Sequence, residues 1–95
     1  MRSPTPRKPR RKAYAVEFMP AALKELEKLP EDVRRPLFEA ITDLGRDPFP
    51  HGSEKLQGGK GHRIRHGVYR AVYQVDRVRL VVVVDHVAHR REVYR

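Results

Sequence analysis

An alternation of apolar and polar residues near the start of the chain is typical of a half-buried strand. Tyr14, Val16 and Phe18 alternate with small or charged neighbours, so a strand is predicted over residues 14–18. Pro20 ends this strand and suits the first turn of a helix. Every third residue is then a leucine, with charged residues between, which predicts a short amphipathic helix over residues 20–29.

A second amphipathic helix is predicted over residues 31–45. Glu31 and Asp32 lie at its start, where the helix dipole favours negative charge, and Gly45 suits a C-cap. Pro36 lacks a backbone donor, so we expect a late helix start or a small kink. The apolar stripe is formed by Val33, Leu37, Phe38, Ile41 and Leu44.

The second half of the chain has the pattern of a small sheet. Residues 47–61 are predicted to be a loop with one apolar anchor, Leu56. Strands are predicted over residues 62–66, 69–75 and 78–86, and their short connections require antiparallel neighbours. Residues 80–84 are all apolar, which indicates a central strand covered on both sides. The predicted fold class is α+β, in the order β-α-α-β-β-β, with an N-terminal helical hairpin packed on a small antiparallel sheet.

Composition limits the kind of protein. The first 12 residues contain three prolines and six Lys/Arg and have almost no apolar residue, so they are predicted to be a disordered basic arm before one domain, residues 13–95. The 95 residues contain no cysteine, which excludes disulfides and thiolate metal sites. No apolar run approaches the roughly 20 residues of a membrane span, and no signal peptide follows the basic start. A cytoplasmic protein without membrane contact is expected.

Charge is unevenly divided along the chain. Residues 13–54 hold five Lys/Arg against nine Asp/Glu, whereas residues 55–95 hold ten against three. The second half therefore carries a net charge of +7 and favours a polyanion as partner. A basic sheet that contacts RNA phosphates is the simplest interpretation.

Strand alternation separates the two faces of this sheet. In residues 62–66, Ile64 shares one face with both histidines, and Arg63 and Arg65 share the other. In the next strand the more apolar set is predicted to face the helices, which leaves Arg70 on the open face. With Arg90 from the C-terminal segment, these arginines form a patch of phosphate donors. The competing interpretation is a salt-bridge network, for which the nearby carboxylates are Asp76, Asp85 and Glu92.

The histidines and the last tyrosine are weaker candidates. His62 and His66 are more often structural than catalytic at such positions, and His86 and His89 lack a third partner for zinc. His89 is a candidate for proton transfer near neutral pH. Tyr94 either packs on the sheet edge or stacks on a base.

The string KLQGGKGHRIRHGVYRAVYQV, the valine-rich strand after it and the closing VAHRREVYR resemble the RelE/ParE superfamily of bacterial toxins. The segment AALKELEKL and the DP loop after the second helix agree with the same pattern, so the resemblance covers residues 13–95. It implies a toxin of a type II toxin–antitoxin pair with the RelE-like microbial RNase fold. The basic arm has no counterpart in the family pattern.

By this resemblance, the RelE type enters the ribosomal A site and cuts the messenger there. The ribose 2′-hydroxyl attacks the adjacent phosphorus, with no metal and no cofactor. Carried over by position, the catalytic residues are Arg63, Arg65, Arg70, Arg90 and Tyr94. Lys55, Lys60 and Arg91 are expected to bind the RNA backbone.

One departure from the family pattern concerns the general base. The well-studied type has lysines where this chain has Arg63 and Arg65, and an arginine with a pKa above about 12 is a poor base. Proton transfer then falls to His89, to Tyr94 or to ribosomal groups, or the enzyme is slow.

Two other functions are compatible with the sequence. A ParE-like toxin shares the fold but inhibits DNA gyrase, and a non-catalytic RNA-binding module keeps the cationic face without turnover. The joint presence of the five carried-over residues favours the ribonuclease. In either toxin interpretation the resemblance implies a cognate antitoxin, which forms a hetero-oligomer with the toxin and covers or distorts the basic site.

Overall fold

The computed structural model describes residues 13–59 and 61–89 of the chain. The elements follow the order β1 (Ala15–Phe18), α1 (Pro20–Glu27), α2 (Glu31–Thr42), β2 (Glu54–Lys55), β3 (His62–His66), β4 (Tyr69–Asp76) and β5 (Val81–His89). Short 3-10 turns, Asp43–Gly45 and Gln57–Gly59, follow α2 and β2. The predicted α+β class, with two helices on one sheet, is confirmed. The predicted arm over residues 1–12 lies outside the described residues.

The five strands form one sheet in the order β1-β5-β4-β3-β2. The antiparallel pairing of β3, β4 and β5 was predicted correctly. The sheet as a whole is mixed, however, because β1 lies parallel to β5. The pattern of a single strand says nothing about its neighbour or direction, so this pairing was not predicted. The strand β2 is a second addition, since the sequence analysis placed these residues in a loop.

The core lies on one side of the sheet, under the two helices. Alternation along β5 buries Val82 and Val84 fully, and Val81 and Val83 are only half-buried. This strand is therefore interior in the sheet but is not covered equally on both faces, as the apolar run had suggested. The buried side chains of the core come from both layers: Ala22, Leu26, Leu37, Ile41, Leu44, Ile64, Ala71, Tyr73, Val82, Val84 and Val87.

The last strand begins and ends three residues later than predicted, because of the turn between β4 and β5. The Asp76 carboxylate accepts hydrogen bonds from the backbone N–H groups of Val78 at 3.0 Å and Arg79 at 2.9 Å, which closes a local turn. Val78 is consequently 92% exposed. The strand predicted over residues 78–86 begins at Val81 and ends at His89 instead, because this side-chain cap overrides the β propensity of valine.

β5 contains a bulge at Asp85. Tyr73 pairs with Val84 and Val72 pairs with His86, so one residue of β5 is extra. Just after the bulge, the Val87 N–H donates to Glu25 Oε1 of α1 at 2.9 Å. The Glu25 carboxylate of the helix thus accepts from a backbone N–H of β5 beyond Val84, where the pairing of β5 with β1 ends.

Two features of α2 differ from the sequence-based expectation. The helix begins at Glu31 and continues through Pro36, so the late start did not occur. Gly45 ends the following 3-10 turn, and its φ is not among the positive values of the described glycines. It is required for a close approach instead: the Tyr14 N–H donates to its carbonyl at 2.7 Å, and a Cβ there would lie 2.8 Å from the Tyr14 oxygen.

Candidate functional site

Three arginines of β3 and β4 lie on the face of the sheet opposite the helices, and we call this surface the arginine face. Ile64 and Ala71 are paired across the two strands and are buried in the core. Arg65 and Arg70 are the next pair and therefore point to the other side. Arg63 follows the same alternation. The face assignment made from the sequence agrees with this register.

Arg70 differs from the other two in its exposure. Arg70 is only 4% exposed and is the one charged residue that is buried within residues 13–59 and 61–89, whereas Arg65 is exposed. Its backbone pairs with Arg65 on one side and Ala88 on the other, so it lies in the middle of the sheet. A buried guanidinium in the middle of a sheet has its orientation fixed by the side chains around it.

A carboxylate that the sequence analysis missed lies on the arginine face. Glu54 of β2 pairs with Arg63 of β3, and its Oε1 accepts two hydrogen bonds from Arg63, at 2.9 Å from Nε and 2.6 Å from Nη2. The Glu54 side chain is 48% exposed and that of Arg63 is 17% exposed. A charged pair with these short contacts holds the two groups in one arrangement.

All three arginines lower the pKa of Glu54. It is lowered first by the hydrogen bond from Arg63 and by the charge of that guanidinium, and further by the charges of Arg65 and Arg70. Glu54 is therefore ionised at neutral pH and belongs to the same electrostatic site as all three arginines. Two of the carboxylates considered for a salt-bridge network have other partners: Asp76 accepts from backbone N–H groups of its own turn, and Asp85 accepts from Gln74 Nε2 at 3.0 Å.

The structure does not bring His89 and Lys55 onto the arginine face. His89 pairs with Tyr69, and the two rings meet edge to face with centroids 5.7 Å apart. Since Tyr69 and Arg70 are successive residues of one strand, His89 shares the helix side. Lys55 pairs with His62 and lies on that side as well. Four further predicted site residues, Lys60, Arg90, Arg91 and Tyr94, lie outside the described residues, as does Glu92.

A second group of side chains, which we call the edge cluster, lies at the β2–β3 edge on the helix side. It consists of Phe49, Lys55, His62 and Arg77. The His62 ring meets Phe49 edge to face at 4.9 Å, and the Arg77 guanidinium carbon lies 4.9 Å from the centroid of the Phe49 ring. Burial, and then the charges of Lys55 and Arg77, lower the pKa of His62 from its ordinary value. Both cations therefore lie close to this ring.

Tyr73, a core residue of β4, fixes the loop that carries Phe49. The Tyr73 hydroxyl donates to the Pro48 carbonyl at 2.6 Å, and burial raises the pKa of this phenol to about 12. The Tyr73 ring also stacks on His62, with centroids 5.8 Å apart. The positions of Phe49 and His62 are thus fixed by a fully buried side chain of the core.

A groove of about 580 Å³ adjoins the arginine face at the free part of the β3 edge. β2 pairs only with the first two residues of β3, so Ile64 and Arg65 border the groove directly. Leu44 and Pro50 contribute to its apolar lining, and His51 lies at its rim. Its volume is within the range of small-ligand sites.

The described residues contain neither a metal-binding group of side chains nor a membrane-spanning helix. No group of three or more His, Cys, Asp or Glu side chains in residues 13–59 and 61–89 is arranged to hold a metal ion. Within the same ranges, no helix has the length and apolar character needed to cross a bilayer.

Comparison with known proteins identifies the family. Residues 16–94 match the model of the family described as ParE toxin of type II toxin-antitoxin system, parDE. Toxin RelG of Mycobacterium tuberculosis is 34% identical over 84 residues, a match that covers 86% of this chain and 97% of that protein.

Solved structures agree with this result. The isolated E. coli RelE toxin superposes with a TM-score of 0.72 at 34% identity, over 86% of this chain and 92% of that one. The toxin–antitoxin complex RelBE2 of Mycobacterium tuberculosis has a TM-score of 0.73 at 31% identity, over 82% of this chain and 99% of that one. The fold and the family model together define a type II toxin of the RelE kind. The chain belongs to the RelE/ParE superfamily, which confirms the resemblance found in the sequence.

Proposed function

We propose that this toxin is an endoribonuclease that cuts messenger RNA in the ribosomal A site. The observation that carries the proposal is the convergence of three arginines on one ionised carboxylate, Glu54, on the sheet face opposite the helices. Cations alone would suit any polyanion. A carboxylate held among them adds a proton acceptor beside the groups that bind phosphate.

In the proposed reaction Glu54 is the general base. Within the described part of the chain its hydrogen bonds come from Arg63 and end on Oε1, so Oε2 is available to accept the proton of the ribose 2′-hydroxyl. Unlike the arginines, this carboxylate is ionised at neutral pH and has an oxygen that can accept a proton. His89, which lies with Tyr69 on the helix side, is a less suitable base.

The arginines act on the phosphate. As the 2′ oxygen forms its bond to phosphorus, negative charge grows on the non-bridging oxygens, and Arg65 and Arg70 stabilise it. The bond from phosphorus to the 5′ oxygen breaks, that oxygen takes up a proton, and the products carry a 2′,3′-cyclic phosphate and a 5′-hydroxyl. Arg90 and Tyr94 stay in the proposal as contacts to the leaving group and a base, on the family resemblance.

Inhibition of DNA gyrase is the second candidate, because the matching family model is that of ParE toxins. Induced expression followed by messenger mapping separates the two. Rapid loss of protein synthesis with newly cut messengers supports the ribonuclease, whereas a DNA-damage response with intact messengers supports gyrase inhibition. RNA binding without either effect supports a non-catalytic module.

Substitution of the arginines tests the site itself. Arg65→Ala and Arg70→Ala should each reduce toxicity and messenger cleavage, because each removes a phosphate donor, and Arg79→Ala in the exposed β4–β5 turn is the control with the same change in charge. Arg65 is exposed, so its loss does not threaten folding. If Arg70→Ala and Arg90→Ala both stay fully toxic, the catalytic patch as assigned is wrong.

A cognate antitoxin is part of the proposal. Two relatives, RelBE2 of Mycobacterium tuberculosis and RelBE of E. coli, were solved as toxin–antitoxin complexes. We extend this arrangement to the present chain, with a hetero-oligomer that covers the arginine face and an action in the cytoplasm, where messenger and ribosome meet. Co-expression with the neighbouring open reading frame should restore growth; a neighbour that neither binds nor neutralises the toxin would argue against this pairing.

A further inference from the structure

We propose that the edge cluster of Phe49, Lys55, His62 and Arg77 is a second RNA-contact surface, which binds the strand where it leaves the arginine face across the β2 edge. The inference rests on the proposed ribonuclease function and extends it, because it assigns a binding role to residues that take no part in the chemistry. The ligand is single-stranded RNA, bound through its phosphates and one stacked base.

The cluster is a preorganised cationic site. Arg77 lies over the ring of Phe49, with 4.9 Å between its guanidinium carbon and the ring centroid. An arginine held on an aromatic ring keeps its donors in place and presents a surface on which a base can stack. The ring is held in turn: the Phe49 N–H donates to Asp47 Oδ1 at 3.1 Å, and the Tyr73 hydroxyl fixes the preceding carbonyl at 2.6 Å.

The two acids near this cluster are engaged with the backbone. Asp47 accepts from the Phe49 N–H, and Asp76 accepts from the N–H groups of Val78 and Arg79. Phe49, Lys55 and Arg77 are all exposed. A phosphate at the cluster therefore meets two exposed cations, and the carboxylates of Asp47 and Asp76 are partly occupied by local hydrogen bonds.

The position of β2 connects the cluster to the arginine face. Glu54 and Lys55 are the two residues of this strand, and successive side chains of a strand point to opposite faces. Glu54 pairs with Arg63 on the arginine face, and Lys55 pairs with His62 in the edge cluster. Since β2 is the last strand of the sheet, an RNA strand that passes its edge meets both sites in succession. This continuity favours RNA over an acidic protein segment as the ligand.

The test is RNA binding by the full chain in a Glu54→Gln background, which is expected to slow cleavage, with fluorescent oligonucleotides of two lengths. The short one covers the arginine face only, and the long one, of about 12 nucleotides, also reaches the cluster. Arg77→Ala and Lys55→Ala should each weaken binding of the long RNA about three- to tenfold and lower its salt slope by about 0.7. Affinity for the short RNA should not change.

Two further variants separate the cluster from bulk charge. Arg79→Ala removes the same charge from the same turn and should leave affinity for both RNAs unchanged. Phe49→Leu keeps every charge. It should weaken binding of the long RNA as Arg77→Ala does, because the aromatic ring under the Arg77 guanidinium is lost. The proposal is overturned if Arg79→Ala weakens binding of the long RNA as much as Arg77→Ala does, or if Arg77→Ala weakens binding of both RNAs equally. It is also overturned if Arg77→Ala weakens binding of the purified antitoxin but not of RNA. Failure of the short RNA to bind, together with no messenger cleavage by the wild-type chain on programmed ribosomes, would instead refute the proposed function.

Discussion

Glu54→Gln is the substitution that most directly examines the chemistry. It keeps the shape of the side chain and one oxygen acceptor for Arg63, but it removes the negative charge and the basic oxygen. The Glu54 carboxylate accepts two hydrogen bonds from Arg63, at 2.9 and 2.6 Å, and its pKa is lowered by three arginines. Two consequences of opposite sign are expected.

Turnover should fall. A positioned general base contributes about 10²- to 10⁴-fold to rate, so kcat of Glu54→Gln should drop within that range. Binding should improve, because the arginine face gains one net positive charge. The slope of log affinity against log salt for single-stranded RNA should steepen by about 0.7, and KM should fall accordingly.

The pH dependence gives an independent readout. The base works in its ionised form, and the pKa of Glu54 lies below its ordinary value of 4.5. The wild-type cleavage rate should therefore rise with pH through this lowered pKa and be independent of Glu54 ionisation above it. The Gln variant should lose this acidic limb.

The assay is cleavage of a messenger on programmed ribosomes, with RNA affinity measured separately. Glu39→Gln, an exposed glutamate on α2, is the matched control and should leave rate, affinity and pH profile unchanged. If Glu54→Gln retains wild-type kcat, Glu54 is not the base. If kcat and affinity both decline while the pH profile is kept, the Glu54–Arg63 pair has a structural role only.

Two further predictions concern the core beneath the edge cluster. Tyr73→Phe should lower the free energy of unfolding by about 1–2 kcal/mol in a urea titration, because it leaves the Pro48 carbonyl without its buried donor; Tyr14→Phe, on a half-buried ring, is the control, and an equal effect of both would contradict the assignment. Burial lowers the pKa of His62 below 6.5, so this histidine takes up a proton at higher pH in the unfolded chain than in the folded one. The free energy of unfolding should therefore decrease as pH drops through about 6.5 toward the folded-state pKa. Denaturation followed between about pH 7.5 and 5.5 measures this slope. His62→Gln should flatten that slope and exposed His51→Gln should not, and a slope that persists in His62→Gln would show that this histidine is not its source.

The arginine face could be predicted from the sequence because it depends on a local property. Alternation along β3 and β4 places Ile64 and Ala71 on one side and their neighbouring arginines on the other, whatever the rest of the chain does. The same reasoning failed at the β4–β5 turn, where a single hydrogen-bonding side chain, Asp76, determines which valine begins the strand.

Glu54 was missed for a physical reason. A strand of two residues has no period to detect, and its pairing with β3 is decided by the path of the loop before it. Counting charges by segment also placed Glu54 in the acidic half of the chain, although it lies among the arginines of the basic half. Contacts between distant segments, such as Phe49 with Arg77, leave no local signal either.

The bulge at Asp85 sets the phase of everything that follows it in β5. Before the bulge, even-numbered residues such as Val82 and Val84 face the core, and after it the odd-numbered Val87 does, while Ala88 pairs with Arg70. In this second phase the even positions of β5, His86 and Ala88, lie on the side of the arginines. One inserted residue, Asp85, lies two positions before the Val87 N–H that donates to Glu25, and it decides which half of the β5 side chains from His86 to His89 lies on the side of the arginines. A deletion at position 85 would exchange the two halves without changing the composition of the segment that follows it.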